Sequence, residues 1–133
     1  SVFEHCNSLV SVDLSNVTSL HQRVFCDCFN LTSIGGFSNS ITSIPRFAFT
    51  NCRSLTTLTI PTNINSIGKW AFNGCQSLQT VIFEGGDGVS DLNFDSQNGS
   101  ADSLVPDLTN SNEESIPWDG VLVRSGGTQT FNI

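Results

Sequence analysis

The sequence predicts a repeat solenoid. Short parallel strands, one per coil of 22–24 residues, alternate with irregular or short helical turns opposite, and a non-repeat acidic segment closes the C-terminal end. Three observations predict it. A Phe-x-x-Cys-x-x-Leu register occurs four times, the Phe-to-Phe steps are 22, 24 and 23 residues, and the register stops abruptly at Glu84, where the composition turns acidic. A unit this short cannot bury its own apolar face and must stack on copies of itself.

The units follow in order. Phe3-x-x-Cys6-x-x-Leu9-x-x-Val12-x-Leu14 is the first, and Phe25-x-x-Cys28-x-x-Leu31-x-x-Ile34 the second. Phe49-x-x-Cys52-x-x-Leu55-x-x-Leu58-x-Ile60 is the third, and Phe72-x-x-Cys75-x-x-Leu78-x-x-Val81-x-Phe83 the fourth. In each, the alternation after the Leu marks a short strand with one face inward. Pro61 ends the third strand, because it has no N–H to give a ladder. A second apolar pair, Val17-x-x-Leu20, Ile41-x-x-Ile44 and Ile64-x-x-Ile67, turns each coil, and Trp70-Ala71-Phe72-x-x-Cys75 forms a tight turn on the far side. Polar columns repeat too: Ser8, Asn30, Ser54 and Ser77 precede the Leu column, and Ser11, Ser33, Thr57 and Thr80 precede Val12, Ile34, Leu58 and Val81. Side chains of this kind bond to turn backbone or neighbouring coils, so they are read as structural.

Leu-Thr-Thr-Leu-Thr-Ile-Pro at 55–61, Ile-Asn-Ser-Ile-Gly at 64–68 and Ala-Phe-Asn-Gly-Cys at 71–75 resemble the BspA-type, or Treponema pallidum-type, leucine-rich repeat. The resemblance covers residues 1–84. Unit two departs from it, with Gly35-Gly36-Phe37 in place of the strand end and no Pro after it; unit one has Ser15 where Pro is expected. The resemblance implies a leucine-rich-repeat array of about four coils over 1–84, the first incomplete. It also implies surface adhesion or protein–protein recognition without catalysis, a cell-surface or extracellular setting, and a strand face as the binding surface. The outward column of that face is Asp13, Gly35, Thr59 and Ile82, mostly small residues, which suit a broad flat contact with another protein.

Cys6, Cys28, Cys52 and Cys75 occupy one repeat column. Equivalent side chains on parallel coils point the same way, so these are read as buried free thiols acting as small hydrophobes. Cys26 falls off the column and is expected to be the exposed thiol. Cys26-x-Cys28 lacks the second pair that a zinc site needs. His5 and His21 match no motif and are read as solvent-facing or capping. Arg23, Arg46 and Lys69 precede the Phe columns at comparable register, forming a sparse basic edge.

Residues 1–83 carry four basic and three acidic groups; residues 84–133 carry one basic and nine acidic groups, with seven of the eleven Gly. This second segment, 85–133, is read as a C-terminal cap. Val89, Leu92, Phe94, Leu104, Val105 and Leu108 would lie over the last coil. Gly120 to Arg124 and Thr128 to Ile133, joined through Ser125-Gly126-Gly127, read as a hairpin over Trp118. Asp91-x-Asn93-x-Asp95 with Asp102 imitates a calcium loop at positions one, three, five and twelve. The Gly required at six is Ser96, however, and no helical flanks are visible. A calcium-dependent binding module is therefore the alternative reading, and no other cofactor is expected.

The net charge of -7 and the absence of a basic stripe argue against nucleic acid. No apolar run reaches the ~18 residues of a membrane helix. No Gly-x-Ser-x-Gly, phosphate loop or His-Glu-x-x-His is present, so the chain is read as no enzyme. It starts at Ser1 and contains no Met, which reads as a processed chain or a fragment. That start raises a second setting beside adhesion: an accessory subunit docked on other subunits of a large, even organellar, assembly.

Overall fold

Alternation between Thr and aliphatic residues decides how the third unit folds. In β4 (Thr57–Ile60) Leu58 and Ile60 are buried while Thr57 and Thr59 are exposed, as a period of two requires for a half-covered strand. A computed structural model of the chain describes residues 5–85, 93–95, 120–123 and 128–132. Within the repeat region it contains β1 (Ser11–Asp13), β2 (Ser33–Gly35), β3 (Ser43–Ile44), β4, β5 (Ser66–Ile67) and β6 (Thr80–Phe83). No helix occurs among the described residues.

The strands pair in the register that the columns dictate. β1 runs parallel to β2 with Val12 opposite Ile34, and β4 runs parallel to β6 with Leu58 opposite Val81. Between β2 and β4 the ladder is interrupted. The interruption falls where unit two departs from the repeat: Gly36 takes φ +59° and turns the chain away after three strand residues. A Cβ there would lie 2.9 Å from Asp13 Oδ1, so a side chain would press on the Asp13 carboxylate in a backbone conformation that favours Gly.

One strand per coil is too few. The second apolar pair, expected only to turn the coil, also forms strand: β3 and β5 pair in parallel, Ser43 to Ser66 and Ile44 to Ile67. Ile44 and Ile67 are both buried from this side while the first ladder buries Leu58 and Val81 from the other. Two apolar columns at different points of one coil give two hydrogen-bonded ladders around one core.

The far side is built of stacked irregular turns whose backbone accounting is complete in a regular way. Phe25, Phe49 and the residues two before and two after each donate their N–H to a carbonyl of the next coil: Arg23 to Arg46, Phe25 to Ala48, Asp27 to Thr50, Phe47 to Lys69, Phe49 to Ala71 and Asn51 to Asn73. The residues between them donate three residues back, as Val24 does to His21, Cys26 to Arg23 and Cys28 to Phe25. Buried N–H groups must find partners, and this alternation supplies them without a helix. Left-handed residues at the ends of each turn make the alternation possible: Arg23, Phe47 and Trp70 two before the Phe, and His5, Asp27, Asn51 and Gly74 two after it.

The core runs along the stack. Phe25, Phe49 and Phe72 stack ring on ring at 5.2 and 5.3 Å, with Leu31, Leu55, Ile41, Ile64 and Phe83 around them. All five cysteines are free thiols. Cys28, Cys52 and Cys75 are buried; the Sγ–H of Cys52 donates to the Phe25 carbonyl and that of Cys75 to the Phe49 carbonyl, each at 3.3 Å. Cys26, expected to be exposed, is 6% exposed. It shares its column with Thr50, also buried, and its N–H closes the turn, so the next coil covers it.

Burial raises the thiols of Cys28 and Cys52, and pushes that of Cys75 up to about 12. A folded-state value above the unfolded one means that only the unfolded chain ionises between the two. The stabilisation is therefore complete below pH ~9 and falls as pH rises toward 12, by about 1.4 kcal/mol per pH unit for Cys75. The midpoint of thermal unfolding should drop steeply above pH ~9, and Cys75→Val should flatten that drop. A wild-type profile as flat as that of Cys75→Val would show that Cys75 ionises freely in the fold.

The terminal strands do not form the expected hairpin. β8 (Gly120–Val123) pairs antiparallel with β5 and with β7 (Asn93–Asp95), while β9 (Gln129–Asn132) pairs antiparallel with β6. Each parallel ladder ends at an edge with unpaired backbone groups. In this arrangement β8 covers the edge at β5 and β9 the edge at β6.

Candidate recognition surface

The strand face carries the residues the sequence singled out. Asp13 lies opposite Gly35 and Thr59 opposite Ile82, so the four fall into two registered pairs on either side of the interruption. Asp13, Gly35 and Thr59 are exposed and Ile82 is half-buried. Beside them the face presents Ser11, Ser33 and Thr57, all exposed. Short side chains in register leave this face of the ladders without large protrusions.

Asp13 has a local task as well. Its Oδ1 accepts the Ser15 N–H at 2.9 Å, and the Ser15 hydrogen bonds hold its carboxyl below the usual value. This turn takes over at the corner where unit one has Ser15 instead of Pro. The carboxylate is consequently ionised on the strand face.

The turn side holds two further columns that residue spacing alone did not bring together. In the first, His5 Nδ1 stands 2.9 Å from Asp27 Oδ2, and Asn51 Nδ2 donates to Asp27 Oδ1 at 2.7 Å. His5 is exposed, as read, and has Asp27 as a partner that no sequence motif marks; the two sit 22 residues apart, one repeat step, at the left-handed position. In the second, Phe47 and Trp70 stack at 5.3 Å and 9°, and the Arg23 guanidinium lies 4.9 Å from the Phe47 ring centre. The basic edge is resolved into two columns by this arrangement. Arg46 and Lys69 share one, at a step of 23, while Arg23 belongs to the adjacent aromatic one. His21 is exposed, as read. Arg53 stands on the other flank of its turn, 4.5 Å from the Phe29 ring.

Two members of the polar column before the Leu, Asn30 and Ser54, bond to the previous coil, and so does Thr32, beside the second column. Asn30 Nδ2 donates to the Asn7 carbonyl, Thr32 Oγ1 to the Val10 carbonyl at 3.1 Å, and Ser54 Oγ to the Phe29 carbonyl at 2.7 Å. Each bond links one coil to the previous one.

Of the calcium candidates, Asn93 and Asp95 fall in β7, whose backbone pairs with β8 as an extended strand. Asp91 and Asp102 lie outside the described residues, as do Val89, Leu92, Leu104, Val105, Leu108 and Trp118. Among the described residues no group of three His, Cys, Asp or Glu could hold a metal ion, and no helix is long and apolar enough to cross a membrane.

No curated protein and no solved structure matches the chain. A family model does, that of the BspA type leucine rich repeat region (6 copies), and it matches residues 1–98. The match reaches past Glu84, where the Phe-x-x-Cys register ends, and takes in β7. Proteins of this kind are typically non-catalytic, and the family suggests a protein-interaction or adhesion module. Short parallel strands in repeat register, without helices among the described residues, agree with that match: this chain belongs to the BspA-type leucine-rich repeat family.

Proposed function

We propose that the chain is a non-catalytic recognition module, a short solenoid that binds another protein across its strand face. One observation carries the reading: Asp13, Gly35 and Thr59 are exposed and registered on ladders whose opposite faces meet the core, with Leu58, Ile60, Val81 and Phe83 buried and Val12 and Ile34 packed against it. A surface of this build has no enclosed cluster of acid, base and nucleophile with which to do chemistry, but offers a wide area for a contact dominated by shape. The antiparallel pairing of β8 and β9 with β5 and β6 supports the acidic segment as the cap of the last coil. The setting we favour is surface adhesion. Docking on other subunits of an assembly would use the same face.

Photo-crosslinking tests the face. A benzophenone side chain placed at Thr59 should give protein adducts in an extract of the source cells, and one at Asn65, an exposed corner, should not. The native mass of the particle that carries the chain, measured without irradiation, then separates a free module near 14 kDa from an assembly subunit. Adducts from Asn65 alone, or none from Thr59, would overturn the assignment of the face.

A further inference from the structure

We propose that Asn16 is an N-glycan acceptor, and that of the two sequons Asn16-Val17-Thr18 and Asn30-Leu31-Thr32 the folded chain carries a glycan on the first and not on the second. A third, Asn98-Gly99-Ser100, lies outside the described residues. The proposal rests on the surface-adhesion setting favoured above, because the transfer takes place on a chain that enters a glycosylating secretory pathway.

Spacing does not separate the two sequons, since each has an Asn amide and a hydroxyl two residues on. The fold separates them. Asn16 stands at the corner that follows β1. The Val17 N–H donates to the Leu14 carbonyl at 3.1 Å, closing the turn 14–17 with Asn16 as its third residue. The Ser15 N–H donates to Asp13 Oδ1 at 2.9 Å, and the Ser38 hydroxyl to the Val17 carbonyl. Leu14, Ser15 and Val17 therefore hold the corner, and Asn16 and Thr18 are both exposed. Neither of those two side chains bonds to a described residue.

In the second sequon both groups are in use. Asn30 Nδ2 donates to the Asn7 carbonyl and Thr32 Oγ1 to the Val10 carbonyl, both on the first coil, and Leu31 between them is fully buried. Transfer precedes the completion of folding, so the fold decides which glycan the finished chain can carry. A sugar on Asn30 Nδ2 would have to share the nitrogen that links the first two coils. One on Asn16 displaces nothing.

The reaction joins Asn16 Nδ2 to the anomeric carbon of an oligosaccharide carried on a lipid pyrophosphate. The C–N bond forms from the nitrogen's electron pair, the C–O bond to the pyrophosphate breaks with its pair leaving on oxygen, and the amide gives one proton to a base of the transferase. The place suits a bulky hydrophilic group. Val10 on the same coil is 55% exposed, and Leu9, Val17 and Leu20 are half-buried where Leu31, Ile41 and Ile44 of the next coil are buried. Apolar surface of this kind favours association, which a glycan on that coil opposes.

The test uses the full chain, secreted from mammalian cells behind a signal peptide. Peptide N-glycosidase in heavy-oxygen water converts each glycosylated Asn to a labelled Asp, and peptide mass spectrometry locates the label. Asn16 should be labelled in most secreted chains and Asn30 in few, whatever the state of Asn98. Thr18→Ala should abolish the label at Asn16 and Thr18→Ser should keep it. Both variants, once deglycosylated, should unfold at the parent temperature by circular dichroism, since the Thr18 hydroxyl bonds to no described residue. An unlabelled Asn16 overturns the proposal, and so does equal labelling of Asn16 and Asn30. The signal peptide sends every chain through the pathway, so either failure counts against the acceptor and not against the setting, which the native mass decides, or the strand face, which crosslinking from Thr59 reads.

Discussion

Phe49→Ala should lower the thermal midpoint by about 10 °C or more, the largest loss expected of any single truncation in the stack. Phe49 is fully buried and has stacked neighbours on both sides, Phe25 at 5.2 Å and Phe72 at 5.3 Å. Removing a buried Phe side chain costs about 3–5 kcal/mol through lost transfer energy and the cavity left behind. A chain of this size has only about 5–15 kcal/mol in total. The position matters as much as the volume. In a stacked repeat, stability is a sum of single units and the contacts between nearest neighbours, and this one ring takes part in two of those contacts. Phe47→Ala, by contrast, removes a half-buried ring stacked on Trp70 alone among aromatic rings, and should cost about 1–2 kcal/mol. Thermal unfolding of the two variants side by side decides the matter. Equal midpoints would mean that the buried ring stack contributes no more than the surface one.

What could be read from the sequence was whatever repeats as residue type. Leu58 and Val81 had to face each other because the columns align them, and Pro61 had to end β4. The departure at Gly35-Gly36 likewise foretold the interrupted ladder. Less visible was structure that depends on conformation rather than on side-chain type. Position two before the Phe reads Arg, Phe, Trp, which share no propensity, yet all three are left-handed. Position two after reads His, Asp, Asn, Gly, and here the Asp-Asn-Gly preference for left-handed backbone was a usable signal. It would have located the His5–Asp27–Asn51 column. Cys26 was misjudged for a related reason: with the turn taken as a plain surface loop, its column partner Thr50 gave no hint that the next coil covers both. At the C-terminus, Ser125-Gly126-Gly127 is a sound turn signal, but a turn cannot dictate pairing when two uncovered ladder edges are close by. The registered pairs Asp13–Gly35 and Thr59–Ile82 were legible from the repeat columns; the Phe47–Trp70 stack needed the geometry that only three dimensions provide.

Gly68→Ala and Gly35→Ala should separate the fold from the face, although both replace a glycine by the smallest side chain. At Gly68 a Cβ would lie 2.6 Å from Arg46 N, 2.9 Å from Pro45 C and 3.1 Å from Arg46 Cα. All three are backbone atoms of the neighbouring coil, which no rotamer change can move aside. The Gly68 N–H also donates to the Ile44 carbonyl at 2.7 Å, immediately after the β3–β5 ladder. Relief therefore requires the coils to part at this corner, and the cost should be about 3 kcal/mol. At Gly35 the nearest atom to a Cβ is the Val12 carbonyl oxygen at 3.7 Å, an ordinary contact, and no left-handed backbone is required. Stability there should change by less than about 1 kcal/mol, and a small gain from stiffening the unfolded chain is the expected direction. Urea unfolding of both variants measures the difference. A neutral Gly68→Ala would show that the coils stand further apart at this corner than the backbone contact allows, and would loosen the placement of Lys69 and Trp70 that follows it. A damaging Gly35→Ala would mean that the strand face supports the stack itself. If both outcomes are as expected, the repeat holds its coils together from the corner glycine and the core, and Gly35 of the outer column takes no part in holding the stack.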